Sequence, residues 1–171
     1  MRRRELLGAT GTAGLALLLP QLAWLGEGEE PAEIAPLKKS RQEWRELLEP
    51  ARYRVLFEED TEPAGTSALL KEKRDGLYVC AACFLPLFES DKKYESGTGW
   101  PSFWDALPGR TGSKVDHKLG YGRREYHCVR CGGHQGHVFP DGPRPTGMRW
   151  CNNGLALLFV PEGEKLPPLR S

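Results

Sequence analysis

The chain has 171 residues, room for one domain of about 100 to 150 residues and some additional segment. Its 24 Lys and Arg against 23 Asp and Glu leave a formal net charge of +1, so no basic field argues for nucleic acid as a partner. With 20 glycines and 14 prolines, about a fifth of the chain against a usual share near 12%, short strands and many turns are expected rather than a helix bundle.

The chain opens on Met1-Arg2-Arg3-Arg4, a charged region followed by an uncharged run from Leu6 to Leu25. Arg3-Arg4-Glu5-Leu6-Leu7 is similar to a twin-arginine export signal, with Arg2 where Ser or Thr is usual. Residues 1–25 are therefore expected to be a signal or a membrane anchor. No Ala-x-Ala cleavage site stands nearby, and 20 uncharged residues approach the length of a membrane span, so both outcomes stay open. The expected localisation is exported, periplasmic or otherwise extracytoplasmic. Residues 26–37, rich in Glu, Gly and Pro, read as a solvated linker.

Residues 38–161 read as the folded domain. Lys38 to Leu48 carries Trp44, Leu47 and Leu48 at helical spacing and stops before Pro50. Ala51 to Glu59 is a second short helical segment with Tyr53, Leu56 and Phe57. Thr61-Glu62-Pro63 breaks the chain. After Asp75-Gly76, the stretch Leu77-Tyr78-Val79 reads as a strand running into the first cysteine pair.

Four of the five cysteines form two CxxC pairs, Cys80/Cys83 and Cys128/Cys131, with 44 residues between them. Two thiolates at i and i+3 on a tight turn can ligate one tetrahedral ion, and a second such turn closes a four-cysteine site, which implies structural zinc. Binding of about 10 to 16 kcal/mol at such sites is enough to make a fold depend on its metal. Two disulfides, or redox-active CxxC centres, are the competing reading in an oxidising compartment. A twin-arginine route, which exports folded cargo, would allow zinc to be loaded first.

Between the pairs lies Ser96-Gly97-Thr98-Gly99-Trp100-Pro101-Ser102-Phe103, where Pro101 and the glycines could hold the Trp100 indole in one orientation, a face suited to a methyl group. After the second pair, His134 and His137 stand around Gly136. In a regular strand they would point oppositely, and in a turn they could converge; beside a thiol they could donate a proton to a developing oxyanion. His117 and His127 lack such a context and read as surface or structural residues.

The fifth cysteine, Cys151, is the functional suspect. Arg149 to Val160 reads as a strand closed by Pro161, and alternation would place Arg149, Cys151 and Asn153 on one face. A guanidinium beside a thiol favours the thiolate. The plain alternative is a small buried hydrophobe. Beyond Pro161, residues 162–171 read as a loose tail.

Together these segments resemble the methionine-R-sulfoxide reductases of the MsrB family. The likeness runs over about residues 40 to 160, in the family's order. It is carried by Cys80 to Cys83, Pro86-Leu87-Phe88-Glu89-Ser90, Ser96 to Phe103, Cys128 to Cys131, His134 to Pro143, Pro145-Thr146-Gly147 and Arg149 to Asn153. What it implies is a mainly β fold of antiparallel sheets with short N-terminal helices and a four-cysteine zinc site on Cys80, Cys83, Cys128 and Cys131, away from the active site.

By the same resemblance Cys151 attacks the sulfoxide sulfur of an oxidised protein or peptide. His134 and His137 bind or protonate the departing oxygen, and Asn153 helps to fix them. Trp100 receives the methyl group, Phe139 lines the pocket and Arg149 stabilises the thiolate. Cys151 is left as a sulfenic acid. Two positions depart from the family pattern. Thr98 stands where many members carry a resolving cysteine, which implies regeneration by an external thiol donor such as a thioredoxin-like protein. Trp150 stands where Tyr is commonest, at the pocket wall or its backing. A non-enzymatic zinc-ribbon binding module and a thiol-disulfide oxidoreductase using the CxxC pairs are the rival readings.

Overall fold

A computed structural model describes residues 34–118 and 120–171; the expected signal, residues 1–25, and most of the linker lie outside them. Two short helices begin the described chain. Helix α1 (Arg41–Leu47) is started by a reciprocal cap in which Glu43 N donates to Ser40 Oγ and Ser40 N donates to Glu43 Oε2, so two otherwise orphaned donors are satisfied. Helix α2 (Pro50–Glu58) starts on Pro50, whose fixed φ suits a first turn. Trp44 of α1 stacks on Phe57 of α2 with ring centroids 4.9 Å apart, and both are buried.

Nine short strands follow, as the turn-rich composition predicts. They are β1 (Gly76–Cys80), β2 (Pro86–Glu89), β3 (Lys93–Tyr94), β4 (Ser102–Phe103), β5 (Thr111–Asp116), β6 (Arg123–Cys128), β7 (His134–Phe139), β8 (Arg149–Asn152) and β9 (Leu157–Pro161). They form a three-stranded sheet ordered β2-β1-β9 and a six-stranded sheet ordered β3-β4-β8-β7-β6-β5, with every pairing antiparallel. The core joins the two sheets through aromatic rings. Phe88 of β2 stacks on Phe103 of β4 at 4.2 Å, Tyr78 of β1 meets Phe103 edge-on at 4.9 Å, and Phe88 meets Tyr126 of β6 and Trp150 of β8 edge-on at 6.1 and 6.2 Å. Among the described residues no helix is long and apolar enough to cross a membrane.

The apolar run from Arg149 to Val160 is not one strand. β8 ends at Asn152 in the large sheet, a 3-10 turn covers Gly154–Ala156, and β9 belongs to the small sheet. Two charged side chains from earlier in the chain impose the break. The buried Glu62 carboxylate accepts from Gly154 N at 2.5 Å and Leu155 N at 3.0 Å, while Arg52 of α2 donates to the carbonyls of Leu155 at 2.6 Å and Leu157 at 3.1 Å. A side chain at Gly154 would run into Ser67 and Glu62, so glycine is what lets the backbone come this close.

The tail also differs from expectation. It has no regular element after the turn at Glu162, yet Arg170 N donates to Cys83 O at 3.2 Å and Arg170 Nε to Ala82 O at 2.7 Å. The guanidinium lies over the Phe84 ring at 4.6 Å. Free carbonyls on the first CxxC turn give the tail a docking point that its composition does not announce.

Glu62→Ala would leave two buried N–H groups without an acceptor. It is expected to lower folding stability by about 3 to 6 kcal/mol in urea titration, because hydrogen bonds to charged groups are worth roughly 1.5 to 3 kcal/mol each.

Candidate active site

Cys151 is half-buried in the middle of the large sheet, its backbone opposite Ser102 of β4 on one side and His137 of β7 on the other. Directly opposed residues share a face, so Cys151, His137 and, two residues along each strand, Arg149 and Phe139 project together. A cleft of about 120 Å³ opens on this face, lined by Cys151, His137, Phe139, Trp100, Asn153 and Arg123, among others. Gly136 belongs to the same wall, where any side chain would meet the Cys151 carbonyl. Trp100 is fixed by donating from Nε1 to Glu62 O at 3.0 Å, which ties the indole to the segment that breaks the strand.

Both histidines lie on β7 and yet converge, with ring centroids 5.5 Å apart. The reason is a β-bulge. Gly136 pairs with Tyr126, but His134 rather than Gln135 pairs with His127, so Gln135 is an extra residue and the alternation of faces shifts by one. His137 lines the cleft, whereas His134 is 3% exposed and sits behind it. Each ring has its own carboxylate. His134 Nδ1 is 2.7 Å from Glu125 Oε1, and His137 Nε2 is 2.8 Å from Asp116 Oδ2. Sequence reading missed Glu125, Asp116 and Arg123, which reach the site from β5 and β6; their only signal was period-two spacing on strands of unassigned position. His127, read as a surface or structural residue, contacts Glu125 Oε2 at 3.3 Å.

Asn153 does not hold the imidazoles directly, as expected of it. The chain has left β8 by that point. Its N and Nδ2 donate to Gln135 O at 2.8 and 3.1 Å, and its Oδ1 accepts from Glu62 N at 3.1 Å. It therefore clips the bulge to the Glu62 segment.

Electrostatics around the thiol run against the simple expectation. Burial pushes the Cys151 pKa up, and the opposing pull of the Arg149 guanidinium and the Thr98 hydroxyl is smaller. Arg149 is engaged elsewhere: Nε and Nη2 each donate to the Asp141 carboxylate at 2.9 Å, and its guanidinium lies 4.4 Å above the Phe139 ring. Burial likewise lowers the pKa of His137, against the raising effect of Asp116. Asp116 itself is held well below the usual carboxylate range, first by the Lys118 N–H and then by His137. For Glu125, burial acts upward, but hydrogen bonds from His127 and His134 prevail and hold it at about 2.

The four remaining cysteines meet at one end of the sheets. Their sulfurs lie within 4.8 Å of one another, with Cys80 to Cys131 at 3.6 Å and Cys83 to Cys128 at 3.5 Å. Tetrahedral zinc with bonds of about 2.3 Å separates its sulfurs by roughly 3.8 Å, so the set fits zinc. A disulfide would bring two sulfurs to about 2.05 Å, and the sulfurs here stand farther apart, all four thiols being free. Burial and the neighbouring sulfurs push the Cys80 thiol up, so four thiolates could share this space only around a cation.

Residues 48–161 match the family model of the SelR domain. The chain belongs to the SelR (MsrB) family. Among its relatives, the peptide methionine sulfoxide reductase MsrB of Leptospira interrogans is 50% identical over 127 residues, covering 74% of this chain and 97% of that one. The reductases of the same name from Agrobacterium fabrum and Methanosarcina barkeri are each 47% identical, over 126 and 129 residues, covering 73% and 75% of this chain and 93% and 91% of theirs. Of the residues expected from the resemblance to this family, Trp100, Phe139, His137, Cys151 and Asn153 line one cleft, while Arg149 and His134 stand behind it. Trp150 is backing, not wall: it projects from the opposite face and packs on Tyr126 and Phe88.

In this SelR-family member Thr98 is part of a hydroxyl cluster. Ser96 Oγ lies 2.8 Å from both Thr98 Oγ1 and Ser102 Oγ, beside Cys151. Because the Cys151 pKa is raised, its alkylation by iodoacetamide in zinc-loaded protein should increase with pH through a midpoint above that of an ordinary thiol. Arg149→Met removes a lowering influence and should move that midpoint further up. Labelling near neutral pH, read by peptide mass mapping, should slow by about tenfold for each pH unit that the midpoint rises.

Proposed function

We propose that Cys151 is the nucleophile with which this protein reduces methionine-R-sulfoxide in oxidised proteins and peptides to methionine. The observation that carries the reading is the convergence of Cys151, His137, Trp100 and Phe139 on one small cleft in a chain of the SelR family. The cleft is large enough for a methionine side chain and too small for a globular partner. The Trp100 indole offers the apolar face for the methyl group. The Cys151 sulfur attacks the sulfoxide sulfur, and the histidine pair supplies the proton that the oxygen takes up as its bond to the substrate weakens.

In the net first step the substrate S–O bond breaks and an S–O bond to Cys151 forms. Methionine sulfur gains two electrons and Cys151 sulfur loses two; the thiol proton ends on the sulfenic oxygen. An external thiol donor, of the thioredoxin-like class, then attacks Cys151 to give a mixed disulfide and water. A second donor thiol releases Cys151 and leaves with the donor disulfide. Cys80, Cys83, Cys128 and Cys131 supply the ligands for one zinc ion, which when bound cross-links the two CxxC turns; with four sulfurs on it, the metal keeps no open position for substrate.

The test is turnover of an R-sulfoxide peptide beside its S epimer by zinc-loaded protein with dithiothreitol, with metal analysis on the same sample. One zinc per chain, reduction of the R form alone, complete loss in Cys151→Ser with zinc retained, and no internal disulfide to Cys151 during turnover are expected. A folded, zinc-bound wild type that turns over neither epimer would favour the zinc-ribbon binding module instead.

We further propose that the protein works outside the cytoplasm, on the strength of Arg3-Arg4 and the uncharged run to Leu25. A reporter fused after residue 37 should be exported, and the double change Arg3→Lys with Arg4→Lys should leave it inside the cell by fractionation.

A further inference from the structure

One fully buried polar side chain has no part in the chemistry above. Gln135 is the extra residue of the β7 bulge, set between His134 and His137, and it is 0% exposed. Its Nε2 donates to Cys80 Sγ at 3.5 Å and to Gly133 O at 3.4 Å, while its Oε1 has no protein partner. Turned over, the amide would set its carbonyl oxygen against the sulfur of a metal-bound thiolate, two negative ends in contact. The N–H toward sulfur is the orientation that a thiolate ligand stabilises.

The main chain of the same residue faces the other way. Gln135 O accepts from Asn153 N at 2.8 Å and from Asn153 Nδ2 at 3.1 Å. Gln135 thus touches the four-cysteine cluster with its side chain and the Asn153 loop beside Cys151 with its backbone. Its insertion into the ladder is also what brings the two imidazoles to 5.5 Å. Gly133 and Gly136 nearby have no side chains with which to pin the bulge. The amide of Gln135 and the clip from Asn153 are the contacts that do so.

We infer that Gln135 is a positioning residue that couples the zinc cluster to the histidine pair. Held by the Cys80 sulfur, its amide keeps the bulge in register, and the bulge sets the faces on which His134 and His137 stand. In return the N–H draws charge from the Cys80 sulfur and slows release of the metal, as partners of metal ligands generally do. The catalytic half of this inference rests on the reductase reading; the structural half does not.

The experiment uses the full zinc-loaded chain as wild type, Gln135→Leu, which keeps the bulk and loses the donor, and Gln135→Glu, which keeps the shape and puts a carboxylate oxygen toward the sulfur. Three quantities are read below the melting temperature of each: transfer of zinc to excess chromogenic chelator, the imidazole resonances of His134 and His137 by NMR, and kcat and KM on an R-sulfoxide peptide. In Gln135→Leu zinc transfer should be about 10 to 100 times faster, with a larger effect in Gln135→Glu. The resonances of both imidazoles should move, and kcat should fall several-fold with KM held to within about a factor of two.

A wild-type rate of zinc transfer in folded Gln135→Leu would overturn the inference. So would faster transfer with unmoved imidazole resonances and unchanged kcat, since Gln135 would then guard the metal without reaching the site. Should Gln135→Leu fail to fold, the isosteric Gln135→Glu decides by the same criteria. If wild type itself shows no turnover, the reductase reading fails, and zinc transfer together with the imidazole resonances still judges the coupling.

Discussion

The site depends on a clamp between early and late parts of the chain. Glu62 takes the N–H groups of Gly154 and Leu155, and Arg52 takes the carbonyls of Leu155 and Leu157. Backbone groups that a continuous strand would have spent in one ladder are satisfied by side chains instead, so the chain can turn and enter a second sheet. Everything near Cys151 follows from that. Asn153 is freed from the strand to face Gln135, and the Glu62 carbonyl and N–H hold Trp100 and Asn153 from the side. Nucleophile, indole and amide are thereby referred to one short segment and cannot drift independently.

Against this fixed frame the charges fall into separate groups, each built around one carboxylate, rather than into one network. His134 leans on Glu125 and His137 on Asp116, which Arg123 also engages at 2.5 Å; Arg149 is held by Asp141. Each cation or potential cation near the thiol therefore faces a carboxylate, with Asp116 shared by His137 and Arg123 and Glu125 by His134 and His127. Their effect on Cys151 is muted, and burial prevails in raising its pKa.

The four-cysteine cluster lies apart from the cleft, yet it is not remote in covalent terms. His134 comes three positions after Cys131, and β1, which carries Cys80, pairs directly with β9, the strand after the clamp. A metal held there would fix the ends of β1 and β6 and so constrain both the histidine strand and the turn beyond Cys151. This is how a closed, four-sulfur ion can matter to a reaction it does not touch.

The sequence determined what local chemistry can determine. Cysteine arithmetic separated Cys151 from the other four, the glycine and proline content called for short strands, the spacing of Trp44, Leu47 and Leu48 before Pro50 marked a helix, and the motif order from Cys80 to Asn153 carried the family. Tertiary structure decided what depends on residues distant in the chain. The strand from Arg149 to Val160 is broken by Glu62 and Arg52, which lie about 90 to 100 positions earlier. The histidines share a face through a bulge that period-two reading cannot see, because one inserted residue inverts every expectation beyond it. The partners of those histidines, Glu125 and Asp116, and the weak influence of Arg149 on the thiol belong to the same class. They are set by which strands become neighbours and by how far water is excluded between them, and neither is written in the spacing of one segment.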